Sequence, residues 1–62
     1  QGMHHLAFHV EDIHMAIARL TNLGFETIGD IKQGADNKLI CFLHPKSTSG
    51  VLIELCQEKD PV

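Results

Sequence analysis

The chain has 62 residues, 44% of them hydrophobic, and eight Asp and Glu against five Lys and Arg, for a formal net charge of −3. A chain of about 60 residues is one domain at most and buries only about 60% of its unfolded surface, so a metal, a disulfide or a partner is expected to supplement its core. One arginine, Arg19, and four lysines argue against a nucleic-acid binder, and no apolar run approaches the roughly 20 residues of a membrane span.

Two cysteines, Cys41 and Cys56, are too few for a disulfide framework. With no signal peptide ahead of them, both read as reduced, buried thiols. The expected location is the cytoplasm, or the mitochondrial matrix in a eukaryote. The chain opens on Gln1 rather than methionine, which reads as a piece of something longer or as a two-residue scar before Met3.

In chain order, "HHLAFHV", His4 to Val10, alternates as a strand. Leu6, Phe8 and Val10 take one face, with His4 beside them, and His5, Ala7 and His9 take the other. The period then changes. Ile13, Ala16, Ile17, Leu20 and Leu23 recur at helical spacing and turn His14, Arg19 and Asn22 outward. Asp12 is placed to cap the helix start, Glu11 adds charge that its dipole favours, and Gly24 ends it in a left-handed conformation.

A short strand is predicted from Phe25 to Ile28. A polar connection follows through Gly34 to Lys38, with Asp36-Asn37 as its turn. Leu39 to Leu43 is a strongly apolar strand, "HPKSTSG" from His44 to Gly50 is a loop, Val51 to Cys56 is the last strand, and "QEKDPV" is a polar tail. The order β-α-β-β-β gives one helix to cover one face of a four-stranded sheet. Leu6, Phe8 and Val10 with Val51, Ile53 and Leu55 are expected to form the covered face. The second face then carries His5, Ala7, His9, Leu52, Glu54 and Cys56, and is either open to water or packed on another copy or domain.

Glu54 stands inside "VLIEL", where a carboxylate is costly to bury unless it is paired or metal-bound. It reads either as an outward-facing glutamate on a half-exposed sheet or as a ligand. His5 alone is equally ambiguous. Together on one face they gain weight, because an imidazole and a carboxylate are ligands of catalytic divalent metals. Two ligands are half a site, so the others come from elsewhere.

"GMHHLAFHVEDI", "NKLICFLHPKS" and "GVLIEL", in that order over residues 2 to 57, resemble the C-terminal half of the methylmalonyl-CoA epimerase family, in the vicinal oxygen chelate superfamily that also contains glyoxalase I. The resemblance implies an α+β fold, one βαβββ module over residues 1–62. In it a single helix packs on a mainly antiparallel sheet whose other face forms half of a metal cleft. It implies His5 and Glu54 as metal ligands, Glu54 also as a proton-transfer group, and His4 as a neighbour that is not a ligand. His44, Pro45 and Lys46 would shape the pocket mouth, His44 and Lys46 as weaker substrate contacts and Lys46 toward a phosphate. His9 reads as tolerated on the same face. Asp36-Asn37-Lys38 departs from the glycine turn that relatives often carry, and asparagine takes the same backbone shape.

The resemblance further implies one divalent metal (cobalt, manganese, zinc or nickel), an acyl-CoA substrate, and a second module in the same chain or in a second copy. The implied reaction is epimerisation of a 2-methylmalonyl-CoA-type thioester. The rival readings are a glyoxalase I-like lyase with the same ligands, a metal-free small-molecule binding module, and an inactive fragment.

Overall fold

Asp12 sets the entry to the helix. Its backbone is extended, and its carboxylate accepts from Met15 N at 3.1 Å, so one of the N–H groups that a helix start leaves free is satisfied by the residue type best suited to it. The helix, α1, runs Ile13–Asn22. Gly24 follows at φ +101°, where a side chain would be strained, and Leu23 and Gly24 donate back to Leu20 and Thr21 carbonyls. The computed structural model describes residues 4–59. Gly2 and Met3 at the start of the first motif and Asp60–Val62 of the tail lie outside them.

Four strands complete the module: β1 His4–His9, β2 Thr27–Gln33, β3 Lys38–Leu43 and β4 Val51–Glu58, with a 3-10 turn at Pro45–Ser47 between the last two. They form one sheet in the order β1-β4-β3-β2. β1 pairs parallel to β4, and the β4–β3 and β3–β2 pairs are antiparallel. The expected α+β architecture is therefore present: one α-helix on a four-stranded, mainly antiparallel sheet.

Several boundaries differ from the sequence expectation. The second strand is not Phe25 to Ile28. It begins at Thr27 and continues past a bulge between Ile28 and Lys32, with Gly29 at φ +72°. A glycine inside a strand marks such a kink, and beyond it Ile31 reaches the core. The last strand does not stop at Cys56. Gln57 and Glu58 stay in register with Leu39 and Lys38, and the Gln57 side chain accepts from Ile13 N at 2.7 Å, a second satisfied N–H at the helix start. Val10 leaves β1, yet its N–H still donates to the Cys56 carbonyl at 2.8 Å. Asp36 and Asn37 both take positive φ, closing the β2–β3 turn as expected.

The core is small. Ile13, Cys41 and Leu55 form its centre, and Val10, Ala16, Ile17, Leu20, Ile31, Leu39 and Ile53 pack around them. The helix lies over β2, β3 and β4. The expected covered face is therefore corrected at β1. Leu6 and Phe8 pair with Ile53 and Leu55 and point to the same side, yet both are exposed, because a ten-residue helix centred on the inner strands does not reach the edge. Ile13, Cys41, Leu43, Leu55 and Cys56 are the buried hydrophobic residues among those described, a small core that leaves the fold marginal.

Candidate metal centre

Strand parity decides which side chains meet on the face opposite α1. On β4, Leu52, Glu54 and Cys56 point there, and from β1 His5, Ala7 and His9 join them through the register His5–Leu52, Ala7–Glu54 and His9–Cys56. β3 contributes Phe42 opposite Glu54 and Ile40 opposite Cys56. Ala7 is the residue directly beside Glu54, and its small side chain leaves the carboxylate room to reach diagonally to His5.

That contact is made. His5 Nε2 lies 3.2 Å from Glu54 Oε1, with the His5 side chain 50% and the Glu54 side chain 19% exposed. In the tautomer protonated at Nε2, the imidazole donates to the carboxylate. With the proton on Nδ1, the Nε2 lone pair and Oε1 both face one point, as two donors to a cation. The Phe42 ring lies 6.3 Å from the imidazole, tilted 39° to it. It gives the pair an apolar wall that strengthens electrostatic interactions beside it.

The second oxygen of Glu54 is also occupied. Cys56 Sγ donates to Oε2 at 3.3 Å. Sequence parity places Cys56 on this face as a buried thiol and does not reveal its contact with Glu54. The available signal was the Glu54-x-Cys56 spacing, which puts two side chains on one face of a strand. Burial pushes the Cys56 thiol above its usual pKa, and the Glu54 hydrogen bond and charge act in the same direction against Lys38. Cys41, raised chiefly by burial, faces α1 from the other side of the sheet. The two cysteines are free and buried, as expected, and the sheet separates their side chains.

The remaining candidates sit elsewhere. His4 pairs with Val51 and so faces away from His5. His9 shares the open face and lines a cavity of about 480 Å³ with Val10, Glu11, Gln57 and Glu58; His5 and Glu54 do not line it. His44 and Lys46 organise the turn before β4. The Lys46 amide donates to His44 Nδ1 at 3.1 Å, and the Lys46 ammonium lies 3.8 Å from Glu26 Oε1 on the surface. Two hydrogen bonds with Glu26 anchor this turn, from His44 N to the Glu26 carbonyl at 2.7 Å and from Glu26 N to the Ser47 side-chain Oγ at 3.1 Å.

Imidazole nitrogen and carboxylate oxygen suit a borderline divalent cation, and His5 with Glu54 fit two positions of its shell. No group of three or more His, Cys, Asp or Glu side chains with metal-binding geometry occurs among the described residues. These two side chains are what this face would offer a cation.

A family model described as the glyoxalase/bleomycin resistance protein/dioxygenase superfamily matches residues 1–42. An ethylmalonyl-CoA/methylmalonyl-CoA epimerase of Cereibacter sphaeroides is 45% identical over 58 residues, 90% of this chain and 43% of its own length. A selenomethionine methylmalonyl-CoA epimerase superposes with a TM-score of 0.87 at 43% identity, covering 95% of this chain and 41% of that one. A methylmalonyl-CoA epimerase solved with methylmalonyl-CoA and NH4+ superposes at 0.82 with 36% identity, covering 89% and 39%. The chain spans less than half the length of each of these proteins.

Proposed function

This chain belongs to the glyoxalase/bleomycin resistance protein/dioxygenase superfamily, and on that premise we propose that it is one module of a metal-dependent isomerase that epimerises a 2-methylmalonyl-CoA-type thioester. The observation that carries the reading is the 3.2 Å approach of His5 Nε2 to Glu54 Oε1 on the uncovered face. It joins the first strand to the last at one point, in a chain similar to proteins named for that activity.

His5 and Glu54 hold the metal in this reading, and the bound ion supplies Lewis-acid polarisation of the substrate's carbonyl oxygens. The chain's own residues do the rest of what this half contributes. Glu54, set between β1 and β3 and mostly withdrawn from water, serves in this reading as one of the two proton-transfer groups. Inversion needs a base on one face of the α-carbon and an acid on the other, and the partner group comes from outside these residues. Phe42 excludes water from one side of the pair. His44 and Lys46 contact the substrate at the end of β3. Its phosphates draw Lys46 from Glu26, an exposed ion pair of the kind that holds weakly.

The second module is part of the proposal. The relatives are more than twice as long as the matched region, β1 is an edge strand of the sheet among the described residues, and Leu6 and Phe8 on it are exposed. A second βαβββ unit, in the same chain or as a second copy, supplies the missing ligands and the second proton-transfer group. No helix among the described residues is long and apolar enough to cross a membrane.

The test is turnover of methylmalonyl-CoA by the complete protein with a divalent metal. Glu54→Ala and His5→Ala are expected to lower kcat/KM by about 10²- to 10⁴-fold, with the circular dichroism spectrum unchanged. Full activity in the folded Glu54→Ala protein would remove the site assignment. Turnover of a glutathione thiohemiacetal in place of the thioester would replace the epimerase by a glyoxalase I-like lyase.

A further inference from the structure

We propose that Cys56 is the positioning residue of this site: by donating to Glu54 Oε2, its thiol holds the carboxylate so that Oε1 is the oxygen presented beside His5 Nε2. This rests on the reading of His5 and Glu54 as metal ligands and adds a residue that acts through one of them.

The argument starts from the division of the carboxylate. Its two oxygens have two different partners, Oε1 the imidazole at 3.2 Å and Oε2 the thiol at 3.3 Å. A glutamate side chain has three rotatable bonds and loses considerable entropy when held in one orientation, so a partner on each oxygen is what selects one. Cys56 is able to serve because its place in the sheet is closely fixed by its neighbours. It is 6% exposed and lies in the interior of the longest strand, paired with His9 on one side and Ile40 on the other. Its carbonyl accepts from Val10 N. Two residues along the strand from Glu54, it projects from the same face.

The chemistry of the donor also fits. A lysine at this position would compete with the cation for the carboxylate. An apolar side chain would give Oε2 no partner and leave the carboxylate free to turn between orientations. A thiol is a weak donor that packs as a small hydrophobe, so it satisfies Oε2 and adds no charge. Cys41, the other thiol, is on the opposite face of the sheet, so no disulfide accounts for Cys56. With Oε2 engaged by a weak donor, Glu54 offers a cation one oxygen, and Oε2 is kept off the metal for the proton-transfer role proposed above.

Two substitutions in the complete protein separate positioning from packing. Cys56→Val fills the space and removes the donor, and Cys56→Ser keeps a donor but buries a hydroxyl. If Cys56 is only a packing residue, Val is the better replacement by every measure. If it positions Glu54, the two measures part: Val keeps the melting temperature and loses cobalt(II) affinity by about 10- to 100-fold, as removal of a partner behind a metal ligand does. Ser lowers the melting temperature and keeps most of the affinity.

Affinity is read by calorimetry with cobalt(II) alone, and the visible absorption of the bound ion reports any change in its ligands. Cobalt(II) binding by folded Cys56→Val at wild-type strength and with the wild-type spectrum overturns the proposal. Wild-type binding that depends on Glu54 (lost in Glu54→Gln) and not on Cys56 overturns the positioning role alone. Wild-type protein that does not bind cobalt(II), or binds it equally with Glu54→Gln, overturns the metal reading and this inference with it.

Discussion

β1 and β4 are neighbours in one sheet with the same alternation, and they live in different environments. Phe8 and Leu55 are directly paired and point to the same side, yet Phe8 is 49% exposed and Leu55 5%. β4 has a strand on either side and α1 above it. β1 has a strand on one side only, and the helix does not extend over it. Alternation sorts residues between two faces, while coverage decides what each face is worth. The candidate site straddles this boundary, because Glu54 comes from the embedded strand and His5 from the edge. Half of it stands on a strand embedded in the sheet, and the other half on an exposed edge.

The contrast is broken most strongly at its buried end. Ile13 is fully buried against Cys41 and Leu55, and Ile13→Ala is expected to cost about 2–5 kcal/mol in chemical denaturation, enough to unfold a module this small. Phe8→Ser sharpens the other end. In the isolated chain it is expected to cost about 1 kcal/mol, the share of a phenyl group that is half buried. In the complete protein the cost is expected to rise toward that of a core residue if a second module covers β1. Equal costs in the two contexts would mean that β1 remains an exposed edge.

A smaller effect is expected at Gln57, whose side chain ties β4 to the first turn of α1. Gln57→Leu is expected to cost about 0.5–1.5 kcal/mol, the net worth of one such hydrogen bond, with faster amide exchange confined to the helix start. The smallest effect concerns pH. Folding raises the Cys41 thiol above its unfolded value of 9.0, chiefly by burial, so the unfolded chain releases this proton first. The stability it contributes is full below that value and is lost as the pH rises toward the folded one. A denaturation midpoint that falls between neutral and strongly alkaline pH, with a reduced slope in Cys41→Ala, is the expected result.

The sequence by itself determined the helix, from the 3.6-residue recurrence of Ile13, Ile17 and Leu20, the cap at Asp12 and the glycine at 24. It also determined the faces of β1 and β4, because a period of two leaves no freedom once a strand is in register. His5 and Glu54 were therefore legible as partners, and the family resemblance agreed with parity. The bulge at Gly29 was not legible, since Gly29 and Asp30 read locally as a strand's end and only pairing with β3 carries the strand onward. Gln57 and Glu58 looked like a tail for the same reason: polar residues enter a strand when a neighbour offers a ladder, and that offer comes from Lys38 and Leu39, far away in the chain.

What only the tertiary structure decided is how far the helix reaches and who meets whom across the sheet. Leu6 and Phe8 carry a core pattern and are uncovered. Cys56 reads in the sequence as a reduced, buried thiol, and in the fold it is the partner of a carboxylate. Periodicity is a property of the chain and can be read along it. Coverage and contact depend on the placement of elements that lie far apart in sequence, and strand order and register set that placement here.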